Sequence, residues 1–182
     1  MKGSKKILVN LLGIAGLASV AGAQSYHGTL GLQASDFMPV NSTIRGDFGS
    51  NIFTVGLTFN PTKIPTRPAI AWDVDAIGAN KNGSRFLLIP VTVGIQAALS
   101  RSDPNSVPYV RVEAGFAYYN YSIIQNMAKV GTTTVLPAAQ AELGVVFDNR
   151  LTISATYHFF ARSNSFDFDG FSLGASYTLF KF

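Results

Sequence analysis

Eight times between His27 and Phe182 the chain alternates apolar residues with small or polar ones, and polar, Gly- or Pro-containing stretches separate the runs. The runs are His27–Asp36, Ile52–Phe59, Ala69–Gly78, Phe86–Ala97, Tyr109–Tyr119, Ala138–Phe147, Leu151–Arg162 and Phe171–Phe182. A period of two means extended strands with two unlike faces. A run of about ten such residues, tilted, is also the length that crosses the hydrocarbon of a bilayer as a β-strand.

Which face points inward follows from its chemistry. One face carries residues such as Phe53, Val55, Leu57, Val91, Val93 and Ile95. The other is mostly Gly, Ser, Thr and Gln with isolated charges, as in Thr54, Gly56, Thr58, Thr92, Gly94 and Gln96. A soluble sandwich turns a Lys- and Glu-rich face to water, but only seven lysines occur here and three precede residue 7. Small and polar side chains are what an eight-stranded barrel can hold inside. The expected fold is therefore all-β: an eight-stranded antiparallel up-and-down transmembrane β-barrel with its apolar face to lipid. A soluble lipocalin-like barrel is the alternative. It would stay in solution without detergent and show no gel-mobility shift between unheated and boiled samples.

The N-terminal stretch fits export. Lys2, Lys5 and Lys6 precede an apolar segment from Ile7 to Val20, which ends in Ala21-Gly22-Ala23, a small-x-small cleavage site. Residues 1–23 are expected to be a signal peptide and residues 24–182 the barrel domain; the apolar segment is short and wrongly flanked for a stable anchor. The formal charge of +4 rests on the leader, because three of the fourteen basic residues lie there and the remainder carries eleven against ten acidic ones. Near-neutrality gives no electrostatic case for a nucleic-acid partner. Cysteine is absent, which excludes disulfides, a thiolate metal site and a lipid-modified N-terminal cysteine.

Connections should alternate. Asn60–Arg67, Ser100–Pro108 and the tight Asp148-Asn149-Arg150 are expected on the periplasmic side. Phe37–Asn51, Ala79–Arg85, Asn120–Pro137 and Ser163–Gly170 are the expected outer loops. Aromatics near strand ends (Phe53, Phe59, Trp72, Phe86, Tyr118, Tyr119, Phe147, Tyr157, Phe159 and Phe171) read as interfacial girdles. In the last run, simple alternation turns Phe180 and Phe182 inward and Lys181 outward. A bulge after Leu179 is expected to restore the aromatic side chains to the lipid face; the alternative is that Lys181 snorkels to the periplasmic headgroups while Phe182 caps the barrel floor.

The segments Ile89-Pro90-Val91-Thr92-Val93-Gly94, Pro108-Tyr109-Val110, Ala114-Gly115-Phe116-Ala117-Tyr118-Tyr119, Glu142-Leu143-Gly144-Val145 and Ser154-Ala155-Thr156-Tyr157 resemble small outer-membrane barrels. The resemblance is to the OmpA-, OmpX- and OmpW-like class and covers nearly all of the chain after Ala23. It implies the outer membrane of a diderm bacterium, a monomer in contact with outer-membrane lipid, and delivery by the barrel-assembly machinery that reads an aromatic-ended last strand. The class includes adhesins, tethers, channels and a few lipid A enzymes, so it is weak on function.

The inward-facing ionisable residues are Asp73, Asp75, Arg111, Glu113, Glu142, His158 and Arg162. They are expected to form a lumen ionic network in which Arg111 bridges carboxylates and plugs the barrel. The excess of acids supports an alternative, a narrow and weakly cation-preferring channel for small solutes or ions. Phe166, Asp167, Phe168 and Asp169 alternate in the last outer loop; ordinary loop packing or headgroup contact is expected of the phenylalanines, and an adhesive edge for host or surface ligands is the alternative. The main expectation is thus a structural or surface-interacting, adhesion-type barrel. His158 with Ser163, Asn164 and Ser165 has the residue types of a barrel-borne lipid A deacylase, but four residues separate His158 from Ser163 where that family places them almost adjacent. No enzymatic activity, cofactor or metal is expected.

Overall fold

Eight strands close on themselves, each paired antiparallel with its neighbour in sequence and the last with the first. The computed structural model describes residues 28–61, 68–100, 102–103, 105–125, 128–164 and 166–182. The expected leader, residues 1–23, lies outside the described residues. The strands are β1 (Gly28–Pro39), β2 (Ile52–Pro61), β3 (Ala69–Lys81), β4 (Ser84–Ala98), β5 (Ser106–Gln125), β6 (Ala128–Phe147), β7 (Leu151–Phe160) and β8 (Gly170–Lys181). One short helix, α1 (Ser42–Phe48), joins β1 to β2.

The two-residue period sorts the faces as chemistry demands. Thr54 and Thr58 are buried while Phe53 between β1 and β3 is 72% exposed, as are Leu32, Val93, Ile95 and Leu173 in large part. Inside is small and polar at mid-height; outside is a continuous apolar band. Among the described residues no helix is long and apolar enough to cross a membrane. A closed barrel leaves no strand edge within the band, so every backbone group there is paired within the wall.

The tightest link is Asn82-Gly83 between β3 and β4, both residues at positive φ (51° and 81°), which matches the right-handed twist of the paired strands. Asp148 and Asn149, also at positive φ (49° and 53°), turn β6 into β7 at the opposite end. The helix starts where the Asn41 side chain accepts from the Thr43 and Ile44 amides and stops at Gly49 (φ 106°). It points Ile44 and Phe48 into the barrel mouth.

The aromatic-ended strand is resolved by a bulge. Leu30 pairs with Phe180 but Gly31 pairs with Thr178, which leaves Leu179 as the extra residue. Past that point Phe180 and Phe182 share the lipid face with Leu30, at 63% and 59% exposure. The Phe182 ring lies 5.4 Å from Phe59, which stacks on Trp72 at 5.3 Å. These rings form one interfacial belt; Tyr157 with Phe159 (4.5 Å) and Phe171 (4.6 Å) belongs to the other.

Three expectations need correction. Asn120–Pro137 is not a loop: β5 and β6 remain paired up to Gln125 and Ala128, because Tyr121 and Ile123 continue the inward alternation and β-branched Val130–Val135 favour a strand. Phe86 and Tyr119 are not girdle residues but are buried inside the barrel. The seventh strand ends at Phe160, two residues before Arg162.

Candidate functional site

The lumen has two storeys, and the lower one is organised by Arg111. This side chain leaves β5 at 2% exposure. Its Nη1 donates to Asp73 Oδ2 on β3 at 2.7 Å and to Thr58 Oγ1 on β2 at 3.3 Å. Nε and Nη2 donate to Gln96 Oε1 on β4 at 3.1 and 2.9 Å, and Nη2 also donates to Asn60 Oδ1. Glu113 and Glu142 complete the ring of charge at 3.9 and 3.7 Å.

The other carboxylates are held by neutral donors. Gln140 Nε2 donates to Asp73 Oδ2 (3.0 Å) and Glu113 Oε2 (2.6 Å), and Thr92 also donates to Glu113 (2.7 Å). Glu142 accepts from Tyr109 Oη and from Thr156 (2.9 Å). Asp75 accepts from Gln33 at 3.3 Å. Asp73 Oδ1 and Glu113 Oε1 are buried without a hydrogen-bond donor among the described residues.

Room for these side chains comes from glycines on the same face. A Cβ at Gly144 would sit 2.7 Å from the Tyr109 ring, and one at Gly94, opposite Glu113, would sit 1.9 Å from the Val112 carbonyl oxygen. Backbone cannot move aside as a side-chain tip can. Gly94→Ala is therefore expected to cost about 1–3 kcal/mol of overpacking, read as a lower urea midpoint for the refolded barrel in detergent; an unchanged midpoint would count against this packing.

The expected site residues divide as follows. Asp73, Arg111, Glu113 and Glu142 meet in one network, with Asp75 beside it through Gln33. His158 stands at its upper border, hydrogen-bonded to Ser172 (2.9 Å) and stacked on Phe160 at 5.8 Å. Arg162 does not join: it is 77% exposed and pairs with Asp167 at 3.4 Å, because strand parity stops applying once β7 has ended. Tyr109, Gln33, Gln96 and Gln140 are site residues that charge counting misses, although glutamine on a face of Gly, Ser and Thr is a legible signal. Among the described residues no group of three or more His, Asp or Glu side chains is placed to hold a metal ion.

The upper storey is apolar. Phe37, Ile77, Phe86, Leu88, Tyr119 and Tyr121 from the wall pack with Ile44 and Phe48 of α1 and with Phe166 and Phe168 of the 161–169 loop. Phe168 is 0% exposed, in ring contact with Phe86 (5.7 Å), Tyr119 (5.8 Å) and Tyr121 (5.3 Å). Both phenylalanines pack inward, which removes the adhesive-edge alternative. The Phe-Asp alternation is real, but its apolar face points into the barrel, since burying each phenylalanine is worth roughly 1.5–3 kcal/mol. Asp167 and Asp169 take the outer side. Asp169 Oδ1 accepts from the Phe160 amide at 2.6 Å, and partial burial raises its carboxyl above the ordinary aspartate value despite that bond. Ser163 is engaged by Tyr121 Oη at 3.0 Å while His158 is engaged by Ser172, so the two do not form a nucleophile–base pair; Ser165 lies outside the described residues.

No family model matches this chain, and no curated protein sequence matches it. Among solved structures, neisserial surface protein A aligns with a TM-score of 0.56 over 85% of this chain and 98% of its own, at 13% identity. Ail, the attachment invasion locus protein of Yersinia pestis, gives 0.55 over 86% and 100%, at 13% identity. The N-terminal β-barrel domain of Pseudomonas aeruginosa OprF gives 0.54 over 84% and 99%, at 11% identity. The fold is that of the small bacterial outer-membrane barrels. At these identities the likeness speaks for architecture: an outer-membrane-type barrel whose lumen is filled by its own side chains.

Proposed function

We propose that this protein is a closed outer-membrane barrel with a structural or surface-interaction role, working through what it presents outside the membrane rather than through its bore. One observation carries this reading: the lumen is bridged from wall to opposite wall. Gln140 on β6 bonds to Asp73 on β3, strands that are not neighbours, and Arg111 ties β5 to β2, β3 and β4. Above them the apolar storey closes the mouth. A solute would have to break both layers.

Neisserial surface protein A and the attachment invasion locus protein carry surface roles in their names, which supports a surface role here. Residues 1–23 fit this reading as a cleaved export leader. The two aromatic belts fit contact with outer-membrane lipid, and Phe180 and Phe182, in phase with the lipid face, fit a last strand read by the assembly machinery. The monomer suffices, because the barrel closes on itself.

Refolded protein in planar bilayers is expected to show no stepwise conductance. Reproducible cation-selective steps would overturn the closed-barrel reading and give the lumen carboxylates a transport role.

A further inference from the structure

The lipid side of β3 and β4 changes character along its length. Its outward residues follow one another toward the Asn82-Gly83 turn. Val74, Ala76 and Ile89 are apolar; next come Gly78 and Leu87, in register, and then Asn80 and Arg85, also in register. The step from Leu87 to Arg85 is where hydrocarbon gives way to headgroups. β5 puts the boundary at the same row. Asn120 is in register with Leu87 and donates to the hydroxyl of Tyr118, an outward aromatic just below it, at 3.4 Å.

Below the boundary lies a groove of about 250 Å³, lined by Leu32, Val55, Leu57, Val74, Ala76 and Ile89. Ala76 brings only a methyl group to it, and Gly78, the next outward residue, puts no side chain in the path toward Asn80 and Arg85. Four residues from Ala76 to Asn80 span about 13 Å along the strand. The groove therefore falls within one leaflet of a hydrocarbon layer about 30 Å thick.

Above the boundary Arg85 has no counter-ion. It is exposed and makes no ion pair among the described residues. No Asp or Glu occurs from Ala76 to Ala98 or from Ala114 to Gln125, the stretches around it. Its neighbour in register on β5 is Ser122, which is 8% exposed. The Ser122 hydroxyl is buried with no hydrogen-bond partner among the described residues. A buried donor in that state costs free energy until an acceptor reaches it, and an anion seated on Arg85 supplies one.

We propose that this face holds one phosphorylated lipid of the outer leaflet. Arg85 takes the phosphate in its guanidinium fork, Asn80 and Ser122 donate to the remaining oxygens, and one acyl chain passes Gly78 into the groove. A lipid is the occupant that fits both halves. An acidic protein segment could meet Arg85, but its backbone would be unpaired in the hydrocarbon below. An uncharged lipid fills the groove and leaves Arg85 and Ser122 as they are. The site lies on the outer wall, so it goes beyond the closed-lumen reading and does not depend on it.

The test is native mass spectrometry of the full barrel refolded in detergent, with dioleoyl phosphatidate as probe. One phosphatidate per barrel is expected to stay bound. Dioleoylglycerol, with the same chains and no phosphate, should not, and excess inorganic phosphate should not displace the lipid. Arg85→Met breaks no ion pair, so it should keep the heat-dependent gel shift of a folded barrel. Its affinity for the lipid should fall about tenfold or more, the value of a charge-assisted hydrogen bond. Ala76→Phe fills the groove from the lipid side. It should weaken dioleoyl phosphatidate but not dihexanoyl phosphatidate, whose chains end above the groove. Lys129→Met, which removes an exposed cation at the tip of β6, should bind as the wild type does. Equal retention of dioleoylglycerol, unchanged binding by R85M, or a K129M loss as large as that of R85M overturns the proposal. So does displacement by inorganic phosphate, which would make this a general anion site.

Discussion

Substitution of Arg111 by methionine is expected to lower the stability of the barrel by roughly 3–5 kcal/mol, the range for stranding buried charge by removing one partner. Methionine keeps most of the length and none of the donors. Asp73 Oδ2 would be left with Gln140 alone, next to an Oδ1 that already has no donor among the described residues. Gln96 Oε1 and Asn60 Oδ1 would lose their guanidinium contacts as well. The measurement is a urea titration of refolded protein in detergent, followed by the gel shift between unheated and boiled samples. Adding Asp73→Asn should recover part of the loss, since the charge that Arg111 neutralised most closely is then gone. A midpoint shift worth only 0–1 kcal/mol, the range of exposed pairs, would mean the cluster is hydrated and would sink the description of a sealed lower storey. Conductance should stay absent in the single variant because the apolar storey above is untouched.

The lower storey was legible because its signal is local. Asp73, Asp75, Arg111, Glu113 and Glu142 are isolated charges on faces otherwise made of small residues, and simple alternation places them inside. The final bulge was legible for a similar reason: Phe180 and Phe182 are out of phase with Leu173 and Tyr177, and an extra residue brings them into phase. The upper storey was obscured by the breakdown of alternation itself. In Phe86-Leu87-Leu88-Ile89 both faces are apolar, one toward lipid and one toward the plug, so the run carries no sign of which residue is which. A continuous apolar run is the mark of a strand buried on both sides, and reading it so would have put Phe86 and Leu88 inside. The 161–169 loop leaves two readings open for another reason. Its alternation is sound, but which face is wet depends on whether a cavity waits beneath it, and that cavity is made by α1, β4 and β5 from distant parts of the chain.

Replacing Phe168 by alanine tests that point, with an expected cost of roughly 3–5 kcal/mol, the range for emptying a buried aromatic site. Phe168 lies against rings from β4 and β5 and against Phe166 of its own loop, so its removal unties the loop from the wall. A lower urea midpoint should come with faster protease cleavage within residues 161–169, while the strands below stay folded. Phe168→Leu, which keeps most of the volume, should cost less than about 1.5 kcal/mol. Arg162→Gln, in the same loop, breaks only an exposed pair and should fall within about 0–1 kcal/mol. An adhesive loop with outward phenylalanines predicts a different order, in which F168A is as mild as any surface change, near ±0.5 kcal/mol, and R162Q is no milder. The ranking of the three variants therefore decides whether Phe168 closes the mouth of the barrel or is displayed above it. In the double variant R111M/F168A both seals are gone, and if any member of this series conducts ions it should be that one.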